Sequence, residues 1–109
     1  LETVVLNHLV RKCKNEGWDI YYLSDRSGEC DFVICEGNKV RQCIQVSYDI
    51  SSKKTRQREI NGLLLAHKKT KCENLLLLTD HYYEDVEKEE LNIQIRPVYE
   101  WCAEMEQCL

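Results

Sequence analysis

A single α/β domain, with a mixed sheet of four or five strands flanked by helices, is the fold this sequence predicts. Three observations carry it. Residues 2–14 place Val5, Leu6, Leu9, Val10 and Cys13 on one helical stripe. Between 18 and 48, three β-rich runs are separated by the turn signals "DRSGE" and "EGNK". A second helical stripe then leads into "ENLLLLT", an unbroken apolar run that suits a strand buried on both faces. Strand, helix and strand in succession imply a parallel crossover, right-handed by the usual rule. A chain of 109 residues supports one such core and not two.

The elements follow in order as α-β-β-β-α-β-(β)-α. "NEG" at 15–17 stops the first helix. "WDIYYLS", "CDFVIC" and "VRQCIQVSY" form the three strands, the last two a hairpin. Ser51 or Ser52 caps the second helix, whose inward stripe is Ile60, Leu63, Leu64 and His67, extended backwards to Lys53, Arg56 and Gln57. "DHYYEDVEKEEL" reads as a polar connection that makes a hairpin-like excursion, and "NIQIRP" as the last strand. The single proline, Pro97, opens a closing helix from Val98 to Cys108.

Composition narrows the function classes. The seven cysteines, Cys13, Cys30, Cys35, Cys43, Cys72, Cys102 and Cys108, are odd in number and contain no C-x-x-C. That argues against a disulfide framework and a structural zinc site, and favours a reducing, cytoplasmic setting. His8, His67 and His81 lack ligand spacing. No apolar run is long enough to span a membrane. The first residue is Leu, which reads as a fragment of a longer protein. Residues 1–72 hold 13 Lys/Arg against 9 Asp/Glu, whereas 73–109 hold 2 against 10. A uniformly basic nucleic-acid binder is excluded; a local basic face is not.

The chemistry concentrates in the hairpin. By strand alternation Asp31 shares a face with Val33 and Cys35, opposite Cys30, Phe32 and Ile34. Arg41, Cys43, Gln45 and Ser47 share a face on the next strand, with Gln45 and Ser47 about 7 Å apart. In register, Asp31 points to the side of Gln45, and a helix covering that side adds Glu2. Carboxylates grouped in this way suit Mg²⁺, which takes hard oxygen ligands and keeps waters for a phosphate substrate. Against this stand plainer roles. A salt bridge to Arg41 or an edge position would account for Asp31, a helix dipole for Glu2, and a half-exposed strand for Gln45 and Ser47.

The helix Glu, "CDFVI", the hairpin, "IQVSY" and the "TRQREINGLLLA" helix together resemble the PD-(D/E)XK nuclease superfamily. The resemblance is nearest to the C-terminal domain that follows the ATPase module of many uncharacterised prokaryotic AAA+ proteins. It covers essentially the whole chain and includes the strand–proline–helix "IQIRPVYEWC". It implies a restriction-endonuclease-like fold, with Glu2 as the helix acid and Asp31 as the metal-binding aspartate. Gln45 stands in place of the second acid and Ser47 in place of the lysine. An amide oxygen still ligates Mg²⁺, but serine carries no charge and has a shorter reach. A migrated cation on the next helix, from Lys53 or Arg56, would be the replacement.

The expected role is therefore a catalytically impaired nuclease-like domain, serving a larger ATPase as a nucleic-acid or protein interaction module. Its rivals are a Mg²⁺-dependent DNA endonuclease using Glu2, Asp31 and Gln45, and a docking domain acting through the acidic C-terminal third. The phosphate contacts would be Lys53, Lys54, Arg56 and Arg58, four cations near the positive end of a helix dipole. Exposed aromatics interleaved with these cations are absent, so single-strand stacking is not suggested. No P-loop motif is present, so ATP binding belongs to the N-terminal ATPase module of the parent chain.

Overall fold

The computed structural model describes residues 1–107. Its elements are α1 (Glu2–Glu16), β1 (Asp19–Asp25), β2 (Gly28–Glu36), β3 (Lys39–Val46), α2 (Lys53–Thr70), β4 (Leu75–Thr79), β5 (Glu84–Lys88), β6 (Leu91–Pro97) and α3 (Val98–Gln107). One six-stranded sheet runs in the order β1-β2-β3-β4-β6-β5. The β1–β2–β3 meander is antiparallel, β3, β4 and β6 are parallel, and β5 returns antiparallel to β6.

Local chemistry accounts for most of the boundaries. Gly17 takes the left-handed conformation that ends α1, its N–H donating to the Cys13 carbonyl. The Ser52 hydroxyl accepts from the Thr55 N–H and starts α2. All five residues of β4 are buried, because helices cover both faces of the sheet. On the α2 face, Leu63 and Ala66 pack over Val33, Cys43, Leu75 and Leu77. On the opposite face, Val5, Leu9 and Trp101 of α1 and α3 pack over Phe32, Ile44, Leu76 and Leu78. Among the described residues no helix is long and apolar enough to cross a membrane, and Cys13, Cys30, Cys35, Cys43 and Cys72 are free thiols.

Five expectations require correction. The excursion at 80–91 holds a real strand, so the sheet has six strands. Its hairpin turns on Glu89 and Glu90, both at positive φ (52° and 67°), where Asn-Gly is the usual signal. Leu6 and Val10 leave the inward stripe of α1 and are 39% and 50% exposed, the buried line being Val5, Leu9 and Cys13. Lys53 and Gln57 are exposed rather than inward. Cys30 joins Val33 on the α2 face because β2 carries a bulge: Tyr21 pairs with Val33, but Leu23 pairs with Cys30. A second irregularity, between the pairs Ile34–Gln42 and Cys35–Val40, turns Arg41 out to lie over the Trp18 ring, 4.3 Å from its centroid. The closing helix is described to Gln107, and its expected end at Cys108 lies outside the described residues.

Leu77 lies fully buried at the centre of the sheet. Leu77→Ala is expected to destabilise the domain by about 2–5 kcal/mol, read from denaturant unfolding. A loss below about 1 kcal/mol would contradict this placement of the core.

Candidate functional site

The β2 bulge opens the end of the hairpin, and side chains take over where backbone pairing stops. Beyond the Phe32–Ile44 pair, the Asp31 Oδ2 accepts from the Val46 N–H at 2.9 Å. The Asp31 N–H in turn donates to Gln45 Oε1 at 2.7 Å. Gln45 Nε2 donates to the Glu29 carbonyl at 2.9 Å and to the Glu59 carbonyl at 3.4 Å. Every polar atom of this carboxamide is thus engaged with backbone, and Gln45 is only 3% exposed. The surrounding groups also fix its orientation, since the two carbonyls need a donor and the N–H needs an acceptor.

Gly62 lets α2 approach closely enough for this bridge. A Cβ at that position would lie 2.1 Å from Gln45 Nε2 and 2.3 Å from the Glu29 carbonyl oxygen. The lone glycine in "EINGLLLA" is the sequence signal for such a close approach.

Around the bridge lies a cleft of about 700 Å³ between the start of α1, the β1–β2 turn and the first half of α2. Of the expected site residues it gathers Glu2, Asp31, Gln45, Lys54 and Arg58. Glu29, Glu59 and Arg26, which the sequence reading did not single out, also line it. Ser47, Lys53 and Arg56 do not. Ser47 lies just past β3, its N–H donating to the Leu78 carbonyl. Arg56 turns away into a bidentate pair with Glu84 (2.9 and 2.5 Å). Arg41 pairs with Glu36 at 2.6 Å, so it does not neutralise Asp31.

The cleft is short of positive charge where its acids are deepest. Burial pushes the Asp31 carboxyl above the ordinary aspartate range, the Val46 N–H pulls it back, and the Glu2 and Glu29 charges add to the rise. Burial also raises Glu59, with Asp31 adding to it and Arg58, at 3.3 Å, opposing it. Carboxylates of this kind suit a hard cation in charge and element, but not in position. Gln45 Oε1 is committed to an N–H and Asp31 Oδ2 to another. Among the described residues no three His, Cys, Asp or Glu side chains are grouped so as to hold a metal ion. The side chains as placed do not fit Mg²⁺.

Two measurements test this geometry. Gly62→Ala drives a methyl group into a backbone carbonyl and is expected to cost on the order of 1–3 kcal/mol by denaturant unfolding; a neutral effect would refute the close approach. For Glu59, the fold raises the carboxyl pKa, so between its ordinary and raised values the unfolded chain binds fewer protons. Stability therefore falls as pH rises through that interval. Glu59→Gln should melt higher than the parent at neutral pH, with the gap closing as pH falls to about 4. A gap independent of pH would remove Glu59 as a source of repulsion.

Neither a curated protein nor a solved structure matched this chain. The sequence does match a family described as "Domain of unknown function (DUF4143)" over residues 1–101. With the match extending from α1 into α3, the chain belongs to the DUF4143 family.

Proposed function

We propose that this is a nuclease-like domain of the PD-(D/E)XK type that binds nucleic acid without cutting it, as part of a larger cytoplasmic ATPase. The observation that carries the reading is the closure of Gln45. In the resemblance this position belongs to a metal-binding acid; here its amide holds β2, β3 and α2 together through backbone groups. A carboxylate could accept the Asp31 N–H but offers no donor to the two carbonyls. The missing lysine is not restored by Arg56, which is paired with Glu84. The endonuclease reading would need both functions to be supplied from elsewhere in the cleft.

Binding is supported by the first turns of α2. Lys53 and Lys54 are exposed, the first turn contains no acid, and neither lysine makes an ion pair among the described residues. Arg58 is also open to solvent, its side chain 70% exposed. These three cations stay in the proposed phosphate-binding set, whereas Arg56 acts within the fold. The ATPase partnership rests on the resemblance alone.

Titration with Mg²⁺ or Mn²⁺ should leave the NMR signals of Asp31 and Glu29 unmoved, and DNA should be bound but not cleaved. Lys53→Glu with Lys54→Glu should weaken binding and flatten the dependence of log K on log salt by about two. Metal-dependent cleavage that disappears in Asp31→Asn would overturn the non-catalytic reading. Binding untouched by the two charge reversals would overturn the proposed face.

A further inference from the structure

The carboxyl ends of β3 and β4, where ligands commonly sit in open α/β sheets, carry an aromatic surface that no single stretch of sequence displays. The loop after β3 presents Tyr48, 62% exposed. The loop after β4 presents His81, exposed and stacked on Tyr82 with ring centroids 4.4 Å apart and planes inclined by 27°. The two loops are tied together, the Asp80 N–H donating to the Tyr48 carbonyl at 2.9 Å and the Tyr82 hydroxyl to Asp49 Oδ1 at 3.5 Å. Only four residues separate Tyr48 from Lys53, the first residue of α2.

Of the acids nearby, Glu84 is neutralised by Arg56. Asp49, which accepts the Ser51 N–H at 2.8 Å, and Asp80, 3.2 Å from His81, keep their charges and set the rings rather than the acids as the contact surface. What remains open is two aromatic faces beside two unpaired lysines. A duplex hides its base faces in the stack, whereas a single strand can lay them on rings while its phosphates meet the cations.

We infer that the nucleic acid this domain binds is single-stranded, with bases stacked on Tyr48 and on the His81–Tyr82 pair and phosphates held by Lys53 and Lys54 at the start of α2. The inference rests on the nucleic-acid reading above and adds the strandedness and the residues that read it. The protein follows no base pattern here, so the preference is for unpaired bases rather than for a sequence.

The test is fluorescence anisotropy of the domain with a labelled oligothymidylate and with a labelled duplex of equal length. The single strand should bind more tightly. Tyr48→Ala should weaken that binding roughly tenfold, His81→Ala should weaken it in the same direction, and Tyr48→Phe should restore it; duplex binding should not respond. Tyr48 is exposed, so its variants fold, and a matching circular dichroism melt checks this. Duplex preference, or single-strand binding indifferent to both alanine variants, overturns this inference while nucleic-acid binding stands. Failure of both oligonucleotides to bind overturns the two readings together.

Discussion

The carboxamide of Gln45 joins three elements that sheet pairing alone would leave apart at this end of the domain. Its oxygen takes the N–H of Asp31 on β2, and its nitrogen reaches carbonyls on β2 and α2. Buried backbone groups that lose their ladder partners must find others, because an unpaired one costs about as much as a lost hydrogen bond. The bulge in β2 creates that need and Gln45 meets it, while Gly62 provides the room. No buried side-chain nitrogen or oxygen is left without a partner among the described residues.

That arrangement sets the character of the cleft beside it. Asp31 is drawn into the same network by Val46, so its charge is held inward, near Glu59 and beside Glu2 and Glu29. The acids repel one another and face few cations, which makes the floor of the cleft a poor seat for phosphate. The exposed cations lie along the start of α2, at and outside the cleft mouth. On the proposed reading a polyanion therefore lies across the top of the sheet and not down into the cleft.

The sequence disclosed the fold well where periodicity was strong and local. The α2 stripe, the buried β4 run and the strand–proline–helix ending all appear where 3.6-residue or continuous patterns placed them. Legibility failed where one residue changed the count. The bulge in β2 put Cys30 on the unexpected face, and Glu89-Glu90 made a tight turn without Asn or Gly. The cleft is half visible: the hairpin pattern points to Asp31 and Gln45, and a helix over that side to Glu2. Nothing local points to Glu29 and Glu59, because their proximity arises from tertiary packing. The aromatic surface was invisible for the same reason, since Tyr48 and His81 come from loops more than thirty residues apart.

The hairpin formed by β5 and β6 leaves β5, Glu84–Lys88, as an outer border of the sheet. Its exposed residues, Asp85 and Glu87, are both acidic, and the adjoining turn adds Glu89 and Glu90. A second molecule attempting to extend the sheet there would have to bring like charges to about the spacing of neighbouring strands, 4.8 Å. Many copies can thus be crowded side by side without their sheets fusing along this border. The acidic outer strand thereby guards this one of the sheet's two edges.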